Sequence, residues 1–437
     1  MKRILYIAIM ATLLVVSCQK TDILNVVEDT IEFSTEVGKL TKTETTAPNY
    51  GEEKYETLVN QGFRVWAISD FTIGNDSKGQ VYRGLKNLPV EHGTNGWGFA
   101  PSVTNKYLWP QGGYYLYFYA VSSDKDATWL SDGNTEAITT LFKNDGTGSV
   151  KGVTFPVYTV DPTAHDDVMV ADHIYQTKSM SRTVKPNFRH TMTKVVFNFK
   201  KGGPQDNGAE EASNIILKSI STTALTNKGE LSVTYSTPEV KNDETTIPAK
   251  EMTFEWKEQS STSTFSKNAD GYVTYVKAGG EIITSVESFE ALPSGAENGA
   301  RYVVYSTTGT GVSASVYESQ NGAWAVDTTT EYITVQGKAL TDTFVPFVTW
   351  YMIPQDLDEA KLLEGKELSG AVVTINYIAD GKPLSQNFAL TVSTTEAGEK
   401  DWNEESCVKY NVTIAPHKIV FKPSVDSWTE QGTGMDN

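Results

Sequence analysis

The sequence predicts an all-β protein built from antiparallel β-sandwiches, and three observations lead to that fold class. Apolar residues recur at every second position in stretches such as VKYNVTI (residues 408–414), which is the period of a strand with one buried and one wet face. Aromatic and β-branched runs such as YYLYFYAV (114–121) alternate with turn clusters such as WPQGG (109–113). Helical periodicity is scarce. Many short strands separated by turns are typical of antiparallel sandwiches.

Length, charge and cysteine content restrict the function classes. The chain has 437 residues, enough for two or three domains of about 150 residues each. Its formal net charge is -17 at pH 7, and a polyanion repels phosphate backbones, so no nucleic-acid partner is expected. The two cysteines are Cys18 and Cys407. If Cys18 carries a lipid, no internal disulfide can form, and stability must come from packed cores.

The amino terminus has the pattern of a secretory signal. Lys2 and Arg3 precede an apolar run over residues 4–16, and the small Ser17 comes directly before Cys18. The run is shorter than the roughly 20 apolar residues of a membrane span, so an anchor helix is the weaker interpretation. VVSC is similar to a permissive lipobox, which predicts a lipoprotein signal over 1–17, with a diacylglycerol and an acyl chain such as palmitate on Cys18. An ordinary signal peptide with an incidental cysteine is the alternative.

A short strand and an exposed loop follow the signal. TIEFS predicts a strand in which Ile31 and Phe33 face inward while Glu32 and Ser34 face outward. Residues 38–56 are polar and rich in threonine, as in loops that proteases cut easily. A core strand resumes with GFRVWAI.

A change in composition near residue 182 predicts a domain boundary, because residues 175–188 are polar and strand patterns resume after them. Later strands have clear inward faces: Val195, Phe197 and Phe199; Ala371, Val373, Ile375 and Tyr377; Val408, Tyr410, Val412 and Ile414. DLDEAKLLEGKEL (356–368) is the one good helix candidate. Cys407 directly precedes a strand, which predicts a buried or strand-edge thiol.

The polar clusters favour structural roles over chemistry. HDDVMVADH (165–173) could hold a metal ion, but a turn into a strand with solvated polar ends is the favoured interpretation. His190 lies in a predicted strand and is interpreted as structural rather than as a catalytic base. The sequence contains no G-x-S-x-G elbow and no H-E-x-x-H motif. We therefore predict no catalytic residue, no metal and no cofactor, and we do not expect an enzyme.

Aromatic residues are concentrated between residues 97 and 119. Exposed aromatic rings stack on sugars, so this group would suit a glycan-binding surface, but packing in the core is the favoured interpretation. The group comprises Trp97, Trp109, Tyr114, Tyr115, Tyr117 and Tyr119.

Several segments occur in an order that resembles a known family. After the signal ending at Cys18 they are DTIEFS (29–34), FRVWAIS (63–69), WGFAPSVTNKYLWPQGGYYLYFYAVSS (97–123), DDVMVA (166–171), FRHTMTKVVFNF (188–199), TWYMIPQDL (349–357), Trp402, VKYNVTI (408–414) and VDSW (425–428). In this order they are similar to the fimbrillins, the subunits of the type V pili of Bacteroides-like bacteria. The resemblance covers nearly the whole chain after the signal.

The resemblance implies a fold and an assembly mechanism. The fold is two transthyretin-like β-sandwich domains in tandem, here 43–182 and 183–437, after the signal peptide (1–17) and a tether with a removable first strand (18–42). A trypsin-like protease removes the lipid and the first strand at the outer membrane surface, and a strand from a neighbouring subunit fills the groove. Removing a strand exposes unpaired backbone groups and apolar pockets, which an extended segment can bind.

The chain departs from the family pattern at the predicted cut. The family's protease prefers arginine, whereas the loop offers Lys39 and Lys42. Arg64 is the first arginine after the signal, but it lies in a predicted strand, where cleavage would require unfolding. Cutting near Lys42 is favoured; an uncut, lipidated subunit would be an anchor or a surface protein. The polar carboxyl tail (429–437) is a poor donor strand, which leaves tip and accessory roles open.

We therefore expect a fimbrillin-like structural and adhesive pilus subunit of the outer membrane and cell surface. Its expected partners are other pilin subunits in a homo- or hetero-polymer, the outer membrane through the precursor's lipid, and a glycan or protein on a host or bacterial surface. The alternative function is a surface-anchored glycan-binding lipoprotein of similar β-sandwich build. A secreted hydrolase is the least favoured hypothesis.

Overall fold

The fold is taken from a computed structural model, which describes residues 29–37, 56–69, 81–123, 130, 152–164, 166–171, 174–179, 181–202, 214–235, 252–258, 262–308, 311–357, 361–362, 368–391, 401–415 and 418–427. Cys18, Lys39 and Lys42 lie outside these residues.

The described part of the chain is almost entirely β-structure, and most strand pairs are antiparallel, which confirms the predicted fold class. The strands of the first half are β1 (Glu32–Phe33), β2 (Glu36–Val37), β3 (Phe63–Ser69), β4 (Leu88–Gly93), β5 (Gly96–Phe99), β6 (Leu116–Ser122), β7 (Gly152–Thr154), β8 (Tyr158–Thr159), β9 (Met169–Ala171), β10 (Ile174–Gln176), β11 (Thr183–Val184), β12 (Asn187–His190), β13 (Thr193–Lys201), β14 (Ile215–Thr226) and β15 (Lys228–Thr234).

The strands of the second half are β16 (Thr253–Glu258), β17 (Thr262–Asn268), β18 (Tyr272–Val276), β19 (Ile282–Val286), β20 (Arg301–Thr308), β21 (Gly311–Gln320), β22 (Ala323–Val326), β23 (Tyr332–Gln336), β24 (Lys338–Ala339), β25 (Val345–Met352), β26 (Lys361–Leu362), β27 (Leu368–Ser369), β28 (Val372–Ala379), β29 (Lys382–Ala389), β30 (Ser406–Ala415) and β31 (Lys418–Ser427). The helices are α1 (Glu56–Gln61) and a 3-10 turn over Phe289–Ala291. Neither helix of the described part has the length and hydropathy of a membrane span.

The first sheet has the order β2-β12-β9-β6-β3-β4-β5, with β10 also pairing with β6. Every residue of its central strand β6 is buried. Tyr117, Tyr119 and Val121 face one hydrophobic core. The alternate residues, Leu116 and Phe118 among them, face a second core. A strand covered on both faces needs apolar residues at successive positions, which explains the continuous run in YYLYFYAV.

Two further sheets, built from strands that follow residue 182, pack into one core. Their orders are β25-β13-β30-β31 and β17-β14-β28-β29, with β24 pairing with β14. Strand β13 pairs antiparallel with β25 and parallel with β30. The predicted inward faces are confirmed, because these residues are inaccessible to solvent: Val195, Phe197, Phe199, Ala371, Val373, Ile375, Tyr377, Val408, Tyr410, Val412 and Ile414. Cys407 is buried in β30, as predicted.

Backbone pairing crosses the predicted domain boundary near residue 182. Strands β7 and β8, which precede it, pair antiparallel with β15, which follows it. Strand β16 pairs with the other edge of β15. The division into 43–182 and 183–437 remains a prediction.

The predicted helix over residues 356–368 is wrong in its described part. Lys361 pairs antiparallel with Ser369 and Leu362 with Leu368, so the middle and the end of the predicted helix belong to a short two-stranded sheet, β26-β27. Helix propensity is a weak preference, and pairing with a neighbouring segment overrides it. The helix of the described residues, α1, was not predicted.

A six-stranded accessory sheet, β22-β21-β20-β19-β18-β23, spans residues 272–336. Its Val273 and Tyr275 pack against Ile216 and Ile378 of the main body. Gly280, at a turn of this sheet, has a positive φ of 72°, and a Cβ atom there would lie 2.4 Å from the backbone of residues 380–381. The sheet therefore docks through a backbone contact that only glycine allows.

Gly280→Ala is expected to loosen this docking. An alanine with positive φ costs about 1–2 kcal/mol. The clash with residues 380–381 should cost about 1–3 kcal/mol more. Gly279→Ala is the matched control, since Gly279 also has a positive φ but its Cβ would meet no atom within 4 Å. Urea unfolding should place the Gly280→Ala midpoint below that of Gly279→Ala; equal midpoints would contradict the docking contact.

A carboxylate network links β20 and β23 of the accessory sheet through the segment that follows β22. Asp327, 9% exposed, accepts hydrogen bonds from the Tyr332 hydroxyl at 2.5 Å and from the Thr329 backbone N–H at 2.8 Å. The Nε of Arg301 lies 3.5 Å from the same carboxylate. The hydrogen bond from Tyr332, with those from residues 329 and 330, holds the pKa of Asp327 well below its usual value.

Asp327→Asn is therefore expected to destabilise the protein in a pH-dependent way. Because the folded pKa lies below the unfolded one, the wild-type advantage is complete above about pH 4 and shrinks as the pH falls further. Urea unfolding at several pH values, from neutral down to about pH 3, measures the difference in unfolding free energy between the wild type and Asp327→Asn. Asp270→Asn is the control, since that side chain is 85% exposed. A difference between wild type and Asp327→Asn that does not change with pH would refute the assignment.

Candidate functional site

The candidate site is the first strand segment, residues 29–34, with the groove that holds it. On one side the segment runs antiparallel to residues 107–109. The Ile31 N–H donates to the Tyr107 carbonyl at 2.9 Å, and the Trp109 N–H donates to the Asp29 carbonyl at 2.8 Å. These bonds flank an isolated bridge between residues 30 and 108.

On its other side the segment runs parallel to β11. The Glu32 N–H donates to the Arg182 carbonyl at 3.2 Å, and the Ser34 N–H donates to the Val184 carbonyl at 3.0 Å. Strand β2 then continues in parallel along β12, with Val37 opposite Phe188. The first strand is thus hydrogen-bonded along both edges, as an inserted strand and not as an edge strand.

Its inward side chains fill an apolar groove. Ile31 and Phe33 are 4% and 5% exposed, whereas Glu32 is exposed, as the alternation predicts. The Phe33 ring meets Phe63 edge-on at 5.9 Å and Phe99 at 5.1 Å between centroids. The buried residues of this groove core are Ile31, Phe33, Leu58, Phe63, Val65, Ala67, Tyr82, Leu85, Val90, Tyr107, Trp109, Leu116, Phe118, Ala120, Met169, Ala171, Val184 and Phe188.

Arg64, the third processing candidate, lies inside β3. It pairs with Pro89 of β4 on one side and with Val121 of β6 on the other. Its guanidinium donates to the Asn87 carbonyl at 3.3 Å. A protease needs an extended and accessible backbone, so cleavage after Arg64 would require β3 to leave the sheet.

Asp166 and Asp167 of HDDVMVADH lie in the interior, which corrects the prediction of a solvated polar end where the chain enters this strand; Asp172 lies outside the described residues. Asp166 is 3% exposed and Asp167 is inaccessible. The Asp166 carboxylate accepts hydrogen bonds from the Tyr158 hydroxyl at 2.5 Å and from Ser123 at 3.0 Å. Burial, with the charge of Asp166 beside it, raises the pKa of Tyr158 well above its usual value. The solvated interpretation failed because a hydrophobic core covers each face of β9, with Val170 in one core and Met169 and Ala171 in the other.

His190 is a buried structural residue beside this cluster, 4% exposed, with its Nδ1 2.6 Å from the Asp167 carboxylate. The Gln61 amide donates to the Asp167 carbonyl at 2.9 Å. His165 and His173 lie outside the described residues. Within the described ranges, no three His, Cys, Asp or Glu side chains cluster as a metal site would require.

An ion pair that the sequence did not predict joins the two halves of the chain. Arg189 of β12 donates to both carboxylate oxygens of Glu405, at 2.6 and 2.8 Å, and to the Met252 carbonyl at 2.5 Å. Nearby, the Trp256 indole donates to the Thr191 carbonyl at 2.6 Å. The strand that follows the groove is therefore fixed to the second half. Residues 216 positions apart carry no sequence signal for such a pair.

The aromatic residues of the groove region mostly belong to the cores. Trp109, Tyr117 and Tyr119 are 2%, 8% and 1% exposed, which confirms the core interpretation for them. Tyr114 is 44% exposed. Tyr115 stacks on Tyr175 at 4.2 Å. Trp97 and Tyr115 are half-buried.

Comparisons with known proteins give a family match. The family model described as fimbrillin-like matches residues 59–304. Among solved structures, a fimbrial protein from Bacteroides vulgatus shares 16% identity and a TM-score of 0.41, covering 91% of this chain and 99% of that one. A fimbrial assembly protein from Parabacteroides distasonis shares 10% identity and a TM-score of 0.30, covering 85% and 93%. No curated protein sequence matches the chain.

Phe33→Ala is expected to weaken the seating of the first strand. Removing a buried phenylalanine costs about 3–5 kcal/mol, through lost burial and the cavity left behind. Glu32→Ala is the matched control on the exposed face and should change stability by less than about 0.5 kcal/mol. The measurement is the hydrogen-exchange rate of the backbone amides of Ile31, Glu32 and Ser34. These amides should exchange faster than in the wild type in Phe33→Ala but not in Glu32→Ala. Equal exchange in both variants would show that the groove contributes little to holding the strand.

Proposed function

The chain belongs to the fimbrillin-like family, and from this premise we propose that it is a structural and adhesive subunit of a fimbria at the cell surface. The proposal includes export as a lipoprotein, proteolytic removal of the first strand, and assembly by strand exchange. One observation carries it: the first strand is bonded along both edges and sits in its own apolar groove.

Strand exchange follows from what removal of residues 29–34 would leave behind. The carbonyls of Tyr107, Arg182 and Val184 and the N–H of Trp109 would lose their partners. Unpaired buried backbone groups cost about 1–3 kcal/mol each, and two apolar pockets would open to water. An extended segment from another subunit would restore both kinds of contact. The emptied groove is thus a strong acceptor for a strand.

The proposed processing sites lie between the first strands and the rest of the sheet. Strand β2 ends at Val37, and helix α1 begins at Glu56. A cut after Lys39 or Lys42 would break the only covalent link between the strand and its groove without cutting any described strand. Arg64 is the poorer site, because β3 would have to unfold first. The proposed lipid on Cys18 would be lost with the released segment.

Amino-terminal sequencing and intact mass of the protein shed from its native cell surface test this function. We expect a new terminus directly after Lys39 or Lys42 and no acyl mass. A blocked, triacylated Cys18 with residues 29–37 retained would overturn removal of the strand, and would favour an anchor subunit.

Variants separate the processing sites. Lys39→Ala combined with Lys42→Ala should keep the lipidated terminus, because both proposed processing lysines are then absent; Lys54, the third lysine of residues 38–55, is left in place. Arg64→Gln should be processed like the wild type. Cys18→Ala should carry no lipid. Normal processing of the double variant, together with loss of processing in Arg64→Gln, would assign the cut to Arg64.

A further inference from the structure

We propose that the groove selects its donor strand by charge as well as by shape. The incoming segment should carry an acidic residue two positions before the aliphatic residue in the Ile31 pocket and four positions before the aromatic residue in the Phe33 pocket. This inference rests on the proposed function, since it describes the strand that replaces residues 29–34.

Two cations lie at the entrance of the groove. The Lys178 ammonium donates a hydrogen bond to the Asp29 carboxylate, and an Arg182 Nη2 lies 3.7 Å from the other carboxylate oxygen. The side chains of Lys178, Arg182 and Asp29 are 37%, 44% and 23% exposed. We call these two basic residues the cation pair. Asp29 is two positions before Ile31 and four before Phe33, so it lies on the same, inward face of the strand, at the point where the groove opens.

The loop that carries the cation pair also has hydrogen bonds that do not involve the first strand. The Gln176 amide, 7% exposed, donates to the carbonyls of Ser181 at 2.8 Å and of residue 183 at 3.0 Å. The Trp109 indole donates to the Arg182 carbonyl at 3.0 Å. These bonds would remain after the strand leaves. The cation pair would then face the empty entrance without the Asp29 carboxylate.

The cation pair distinguishes between two strand registers that the apolar pockets alone would both accept. A slip by one residue would turn the apolar face outward, so alternation excludes it. A slip by two keeps the apolar face inward. For the native strand it would bring an apolar residue, Val27 or Ile31, to the position of Asp29. The cation pair would then lose its carboxylate, which disfavours the slipped register.

The direction of the donor strand follows from the same contacts. It should run parallel to β11 and antiparallel to residues 107–109, with its acidic residue at the cation pair. The expected pattern is acidic-x-aliphatic-x-aromatic, which DTIEF has. Residues 418–437 of this chain do not contain it. The donor is therefore expected to be a segment other than residues 418–437 of a second copy.

Peptide exchange into the full chain tests the cation pair. A specific protease site placed between residues 38 and 55 allows the folded chain to be nicked, so that the first strand stays bound only by its contacts. A labelled peptide of residues 27–37 then competes for the groove, and its affinity is compared with those of Asp29→Lys and Glu32→Lys peptides. Both variants change the net charge equally, but Glu32 faces outward. The protein is used as wild type and as Lys178→Glu with Arg182→Glu.

The native peptide should bind the wild-type groove, and the Asp29→Lys peptide should bind about fivefold to tenfold more weakly, as for two partly exposed ion pairs. The protein with Lys178→Glu and Arg182→Glu, called the reversed protein, should bind the Asp29→Lys peptide as tightly as the wild type binds the native peptide. The Glu32→Lys substitution should change peptide affinity little on either protein. A peptide of residues 418–437 should bind more weakly than the native one. If the reversed protein fails to fold, Lys178→Gln with Arg182→Gln should no longer discriminate between the native and Asp29→Asn peptides.

Two failures are distinguishable. If the native, Asp29→Lys and Glu32→Lys peptides bind with equal affinity, the groove does not select strands by charge. That result would overturn the cation-pair proposal and would leave strand exchange supported. If no peptide, including the native one, enters the nicked protein, both the cation-pair proposal and strand exchange are overturned.

Discussion

The structure depends on one sheet that is apolar on both faces. In β6, and in β3 beside it, successive side chains enter two different cores. The first strand belongs only to the groove core, whereas the other core joins the sheets of both halves of the chain. Loss of the first strand would therefore remove contacts from one face of the sheet and leave the other face packed. The proposed strand exchange would use this separation.

Buried polar groups fix the junction between the groove and the second half. Asp166, Asp167 and His190 lie where the first sheet meets the larger core, and each has a hydrogen-bonding partner. Removing one partner of such a pair would leave a buried charge uncompensated, which is strongly destabilising. The bidentate pair of Arg189 with Glu405 extends the same strand into the second half. The acceptor side of the groove is thus rigidly supported.

The local sequence pattern predicted which residues of the strands face inward, but it did not predict which elements pack around a strand. The alternating residues of β13, β28 and β30 needed only a period of two to be assigned to the interior. Residues 356–368 have a helical pattern, yet residues 361, 362 and 368 pair as strands, because a partner segment decides between helix and strand when the propensities are similar. The aspartates before β9 looked solvated because a single strand does not reveal that other elements cover both its faces.

The sequence by itself determined the all-β class, the inward faces of the strands, including Ile31 and Phe33, and the resemblance to a pilus subunit family. These follow from periods and motifs within short stretches of chain. Tertiary structure alone decided that the first strand is inserted between residues 107–109 and β11, that Lys178 and Arg182 meet Asp29, and that Arg189 meets Glu405. These contacts join residues far apart in sequence, and only folding, which brings the strands into register, places such groups within bonding distance.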